Sequence, residues 1–452
     1  MSKINESLIK YLSVVLVCLL FFCACSQEPS STDSITFSSE FKVFMKNSKK
    51  TIQNKYESGY FREDSGTFNK DLALLSFSLA AAPSVENGAK SLNSMKFENL
   101  EQFTNDDSNV NGCSYVMGHR KVDDKNLVAV FICGLNYSVE WAGNFTLGES
   151  GNHEGFDTAA GEIYSDLKNY LTQYCPQGNI KLWITGYSRA AAIADILAVN
   201  IIENGEIEVS QKDIFAYAFA PPASVSGSED YSCIQNIFVD SDVVPAVPPA
   251  TQSSDYGLTM PGVEIKMSST PDNLNECLHT YVGSDVDMPE FTADDSYSTP
   301  AEFLEYFVNG ITSATEDTSA ASFESREKYY STVQTRLVYL TEILMKNNAA
   351  GLSALKDYIT KNKDQLAVLA FQWTIGDGFY ESLYPLLDSC GTEYDSTELK
   401  NACSILPSIR LNTNLVVFGL GFVSDSEKAA NAMYIVYCHY PEVCYALLKD
   451  YN

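Results

Sequence analysis

The apolar positions of the chain fall into blocks that alternate in kind. "LVAVFICGLN" (Leu127–Asn136) is a continuous apolar run, rich in Val and Phe and ended by Gly134, which is the pattern of a strand buried on both faces. "EGFDTAAGEIYSDLKNYLTQY" follows, with Ile163, Leu167 and Tyr170 at helical spacing and polar residues between them, an amphipathic helix. "IKLWIT" is the next buried strand, "AAAIADILAVNII" the next helix, and "DIFAYAFAPP" and "IQNIFVDSDVVP" are two further apolar strands. Upstream, between about Phe68 and Phe103, the pattern is mixed, with one helix-like run at "DLALLSFSLAAA". Buried strands alternating with helices predict an α/β fold, a mostly parallel sheet with helices on both faces.

The pattern changes near Asp285. "DVDMPEFTADDSYSTPAEF" is acidic and proline-containing, a boundary, and "EYFVNGI", "YSTVQTRLVYLTEILMKN", "LKDYITKNKDQLAVLAFQW" and "AANAMYIVYCHYPEVCYALLKDY" beyond it read as helices. No internal repeat, metal-ligand spacing or phosphate-binding loop interrupts this order. At the other end, Lys3 and Lys10 precede the apolar run "YLSVVLVCLLFFCACS", which reads as a signal peptide too short to span a bilayer. Its end resembles a bacterial lipobox, with Ala24 before Cys25 as the residue to be acylated, although Phe22 stands where Leu is usual. An ordinary secretory signal cleaved near Ala24 is the alternative. "SQEPSSTDSITFSSE" then reads as a polar tether. The expected organisation is a signal peptide over 1–24, a flexible tether over 25–40, an α/β domain over 41–284 and a mainly helical region over 285–452.

Composition narrows the partners. Of 452 residues, 45% are hydrophobic and 19% charged, enough for a sizeable core, and the formal net charge is −28. So acidic a chain lacks the basic footprint of a nucleic-acid binder and disfavours adsorption to anionic headgroups. The chain has 12 cysteines. In an extracytoplasmic protein some should pair, and Cys390 with Cys403 and Cys438 with Cys444 are near in sequence.

Candidate chemistry centres on "ITGYSRAAA". Gly186-Tyr187-Ser188-Arg189-Ala190 has the outline of a nucleophile elbow, in which serine projects from a tight strand-to-helix turn and small residues two before and two after let strand and helix approach. Ala190 stands where a glycine is common. The alternative is that Ser188 only caps a helix. A nucleophilic serine needs a base, and the base an orienting carboxylate, in the chain order Ser, acid, His. Of four histidines, His119 and His153 precede the serine, His279 follows the last sheet-like strand by a loop, and His439 lies in the helical tail. Elimination favours His279. Asp242, in "VDSDVVP", is the leading acid, with Asp240 as the fallback or as a residue that serves local backbone N–H groups.

Four blocks together resemble the class 3, or fungal-type, lipases of the α/β-hydrolase fold, particularly their secreted bacterial relatives, over about Leu72 to Val282. "VAVFICGLNYSVEWAGNF" resembles the strand, oxyanion loop and lid block, keeping Gly134 and Trp141 at the family spacing with Cys133 in place of Arg; "HEGFDTAA" resembles the start of the helix before the elbow; "ITGYSRAAA" resembles the elbow; "VDSDVVPAVPP" resembles the block of the acid. The resemblance implies Ser188 as nucleophile, Asp242 as acid and His279 as base, backbone N–H groups of Leu135 and Arg189 as the oxyanion hole, and a structural role for His153. It also implies a lid over Tyr137–Ser150, where Tyr137, Trp141 and Phe145 recur every four residues as a flap or as packed core. The family usually has His at 187, Leu at 189 and Gly at 190 and 191, and often Ser or Thr at 135. The expected function is therefore a lipid-anchored, extracytoplasmic serine hydrolase of carboxylic esters, of acyl lipids in particular, with no metal or organic cofactor. Two alternatives remain open: a hydrolase or acyltransferase on phospholipid, acetylated glycan or thioester, and a surface binding lipoprotein that keeps the fold without activity.

Overall fold

The computed structural model describes residues 33–105, 109, 111–134, 140, 142–145, 148, 151–227, 231–247, 257–315 and 425–451. Two strands, β1 (Ser34–Val43) and β2 (Ser48–Glu57), open it as an antiparallel hairpin. Residues alternate in burial along both, so that Phe37, Phe41, Ile52 and Tyr56 form one apolar face. Helices α1 (Lys70–Ala80) and α2 (Val85–Ser94) follow, each started by a side-chain cap, from Asn69 and Ser84.

The main sheet comes next. Its strands are β3 (Glu98–Phe103), β4 (Ser114–Val122), β5 (Lys125–Cys133), β6 (Ile180–Tyr187) and β7 (Ile214–Phe219), then, past the short β8 (Val225–Ser226), β9 (Ile234–Val239) and, past the short β10 (Leu258–Thr259), β11 (Val263–Met267). The order across the seven-stranded sheet is β11-β9-β7-β6-β5-β4-β3. The five strands from β11 to β5 run parallel, and β4 and β3 are added antiparallel at one edge. β6 lies at the centre of this sheet, with Trp183 level with Ala129 on one side and Phe215 on the other.

β6 is buried on both faces, and its two faces belong to two cores. Leu182 and Ile184 pack with helices α3 (Glu154–Tyr174) and α4 (Arg189–Asn204). Trp183 and Tyr187 face the opposite layer, made of the hairpin, α1 and α2. There the Trp183 indole N–H donates to Ser76 Oγ at 2.8 Å, which satisfies the one polar atom of a large buried ring.

Helices α5 (Pro271–Tyr281) and α6 (Pro300–Thr315) follow the sheet, and α7 (Ser426–Tyr437) and α8 (Pro441–Asp450) end the described chain. Here the boundaries depart from expectation. The first strand begins at Ser34, inside the stretch read as a tether. The last helix is no appendage: Val443, Cys444, Leu447 and Leu448 are buried in the same core as Trp183. The Cys438–Cys444 pairing also fails, because both thiols are buried and neither is in a disulfide. Residues 1–32, with the signal and Cys25, and Cys390 and Cys403 lie outside the described residues. Among the described residues no helix is long and apolar enough to cross a membrane.

Two polar contacts tie the tail to the N-terminal layer. The Lys70 ammonium donates to the Tyr451 carbonyl, and the backbone N–H of Met45 donates to Glu442 Oε1 at 2.8 Å. Burial pushes the Glu442 carboxyl up to about 7, against the pull of the backbone N–H groups it accepts from. A carboxyl raised in this way stabilises the fold while protonated, and stability falls as pH rises through about 7. Glu442→Gln keeps the acceptor and removes the charge. It is expected to raise the melting temperature at pH 8 by about 2–4 °C and to change it little at pH 5. A variant less stable than the parent at pH 8 would contradict a costly buried carboxylate.

Candidate active site

β6 runs into α4 through Ser188, whose backbone sits at φ 57° and ψ −125°. A positive φ is strained for any residue with a Cβ, and here it turns the serine off the end of the central strand. The turn is pinned by the Ser188 N–H, which donates to the Phe219 carbonyl at 2.8 Å. Although Ser188 occupies the N-cap position of α4, its side chain makes no capping hydrogen bond. The elbow reading therefore holds against the capping one. The small residues around it have steric causes. A Cβ on Gly186 would stand 2.3 Å from the Ala190 carbonyl oxygen. A Cβ on Gly134 would stand 2.8 Å from both the Ala190 Cβ and the Tyr187 oxygen. The methyl of Ala190 is thus accommodated because Gly134, just past the end of β5, has none.

Asp242 lies just past the end of β9 and is almost fully buried. Its Oδ1 accepts the Val244 N–H at 2.8 Å. His439 Nδ1 lies 2.9 Å from Asp242 Oδ2 and 3.1 Å from Oδ1, and His439 Nε2 lies 2.8 Å from Ser188 Oγ. The carboxylate offers only acceptors, so the Nδ1–H donates to it, and the bare Nε2 accepts the Ser188 hydroxyl. Ser188 and Asp242 are therefore brought together as expected, but around a different histidine. Asp240 takes the local role considered for it: its Oδ1 accepts from the hydroxyls of Ser241 and Ser269, each at 2.9 Å, and from the Ser269 N–H at 3.1 Å.

His279 is the correction. α5 buries Leu274, Cys277 and Leu278 and turns His279 outward, where its half-exposed ring pairs with Asp287 at 2.6 Å. Both His279 and His439 satisfy the order Ser, acid, His, so order could not choose between them. The available signal was "CHYP". A histidine between two helices, two residues before a proline that opens a helix as apolar as "PEVCYALL", is carried wherever that helix docks. The other histidines are engaged elsewhere. His119 Nδ1 lies 3.0 Å from the Tyr170 hydroxyl. His153 stacks on Phe156 at 3.8 Å with its Nε2 3.0 Å from the Asn144 carbonyl, and burial pushes it down to about 4.

Arg189 is the first residue of α4, so its N–H has no partner within the helix and sits at the positive end of the helix dipole. That suits a donor to a developing oxyanion. Its side chain is buried, with the guanidinium over the Phe156 ring at 5.4 Å and Nη2 donating to the Gly155 carbonyl at 3.3 Å. Close by, burial pushes the Glu140 carboxyl up to about 7, opposed by Arg189 and Asn105. Leu135, Tyr137, Trp141 and the side chain of Phe145 lie outside the described residues.

A strained serine at the end of the central parallel strand, hydrogen-bonded through histidine to a buried aspartate, defines a serine hydrolase of the α/β-hydrolase fold. Residues 128–252 match the family model Lipase (class 3). Among solved structures the chain is similar to a lipase from Rhizopus microsporus var. chinensis, at 18% identity and a TM-score of 0.33, over 44% of this chain and 76% of that one. It is likewise similar to the triacylglyceride lipase of Rhizomucor miehei, at 17% identity and a TM-score of 0.33, over 44% of this chain and 82% of that one. A third is the Lip2 lipase of Yarrowia lipolytica, at 16% identity and a TM-score of 0.30, over 40% and 71%. No curated protein matches the sequence.

The elbow sterics can be tested directly. Gly186→Ala forces a methyl against main-chain atoms that cannot swing away, and it is expected to cost about 2 kcal/mol or more of stability together with most of the activity. A variant that melts and turns over like the parent would mean that the strand and helix are not so closely packed there.

Proposed function

We propose that this chain is an extracytoplasmic, lipid-anchored esterase acting on acyl lipids, with Ser188 as nucleophile, His439 as base and Asp242 as its orienting acid. The observation that carries the reading is the unbroken hydrogen-bond chain from Ser188 Oγ through the two ring nitrogens of His439 to Asp242. His439 Nε2 takes the Ser188 proton as Oγ attacks the ester carbonyl. Asp242 holds the ring by Nδ1 and balances the charge that the ring gains. The tetrahedral oxyanion is met by the Arg189 N–H at the start of α4, and Leu135 is the second donor that the family resemblance implies. The imidazolium then protonates the departing alkoxide, leaving an acyl ester on Ser188. Water, activated by the same nitrogen, releases the acid.

The lipid substrate is supported by the family match and by the aromatic residues of the segment 137–150. The anchor is supported by the lipobox-like "FCACS" and by the charge, since a chain of −28 is repelled by anionic lipid and gains no electrostatic hold on a bilayer.

Each part has its own test. A fluorophosphonate probe should add its mass to the peptide containing Ser188, and Ser188→Ala should lose both that label and hydrolysis of p-nitrophenyl esters, by several orders of magnitude in rate. An unlabelled native protein, or a Ser188→Ala variant of full activity, would refute the nucleophile. Cys25→Ser should release the protein from the membrane fraction at low salt as well as high. If that variant stayed on the membrane and salt washed it off, attachment would be electrostatic or protein-mediated.

A further inference from the structure

The base and the nucleophile are 251 residues apart in sequence. His439 stands in the short connection between α7 and α8, where its N–H donates to the Val436 carbonyl at 3.1 Å in the last turn of α7. Yet Nε2 must meet Oγ to within a few tenths of an ångström for proton transfer to be efficient. The Asp242 bond at Nδ1 fixes the ring's orientation. It does not fix the position of the backbone behind the ring.

On its carbonyl side that backbone is held from the elbow itself. Tyr187 is the last residue of β6 and the covalent neighbour of Ser188. Its hydroxyl donates to the His439 carbonyl oxygen at 2.7 Å. Its ring is buried, lies 5.7 Å from the His439 ring, and is braced edge-on by Phe77 at 6.2 Å. On the outer side the same turn is held by the β1–β2 hairpin: Phe44 stacks on Tyr440 at 5.4 Å, and Met45 N–H donates to Glu442. The base-bearing turn is thus gripped between a hairpin on one side and, on the other, the residue adjoining the nucleophile.

We propose that Tyr187 is a positioning residue, which registers the His439 backbone against the elbow through its hydroxyl and so sets the distance from base to nucleophile. The proposal rests on the triad reading given above. One strand end carries both the nucleophile and the ruler for its base, so movement of β6 carries the two together.

Tyr187→Phe deletes only the hydroxyl and keeps the packed ring. With p-nitrophenyl esters, and with rates counted per fluorophosphonate-titrated site so that unfolded protein does not contribute, kcat should fall about tenfold, the worth of one well-made hydrogen bond, while KM stays within about twofold. In a His439→Ala background the same substitution should add no further loss, because residues that act through one another are not additive. A kcat unchanged in Tyr187→Phe would overturn the proposal and leave the triad standing. So would equal losses in the presence and absence of His439, which would make the tyrosine merely structural. Native protein that neither labels nor turns over would instead refute the triad reading beneath it.

Discussion

His439 reaches Ser188 only because α8 is buried. The catalytic chain of hydrogen bonds closes between a sheet built from the middle of the sequence and a helix contributed by its far end. Val443, Cys444, Leu447 and Leu448 sink into the layer formed by the hairpin, α1 and the face of the sheet that carries Trp183. Burial of four such side chains is worth about 1.5–3 kcal/mol for each of the larger ones. It also completes the active site, because the helix carries the base-bearing turn with it. Stability and catalysis therefore share one docking surface, and damage to the hairpin or to α1 should be felt at Ser188 through the tail.

Two of the buried charged side chains stand at these junctions. Glu442 caps the contact between tail and hairpin, and Arg189 runs from the elbow over Phe156 toward the start of α3. Where the resembling family has leucine at position 189, this chain buries a cation, and Glu140 lies near enough to feel it. The elbow is thus supported partly by polar contacts on the α3 side and by aromatic packing on the Tyr187 side. Such buried polar supports cost more to disturb than apolar ones, since removing one partner strands the other away from water.

The central fold was legible because continuous apolar runs leave few choices. β5, β6, β7 and β9 fall on the runs that read as strands, and α3 and α4 on the periodic segments between them. The antiparallel additions were not legible. β4, "SYVMGHRKV", mixes polar and apolar residues with no clear alternation, and β1 follows directly from a serine-rich stretch whose composition masks its alternation. Ser188 and Asp242 could be found because each chemical role sits on a local motif. His439 could not, because what places it is the burial of a helix, a tertiary event with only an indirect mark in "CHYPEVCYALL". In the sequence Tyr187 stands out only as a departure from the family's histidine, and its use depends on a carbonyl 252 residues away.

Catalysis by the arrangement described requires His439, and not His279, as the base. Imidazole rescue tests it most directly. Removing the side chain in His439→Gly leaves space that a small base in solution can enter. His439→Gly is expected to hydrolyse p-nitrophenyl esters at a small fraction of the parent rate, added imidazole to raise this rate saturably, and the same imidazole to do nothing for Ser188→Ala. His279→Gly should turn over like the parent with or without imidazole. A His439→Gly enzyme of undiminished rate, with the loss and the rescue found in His279→Gly instead, would contradict it.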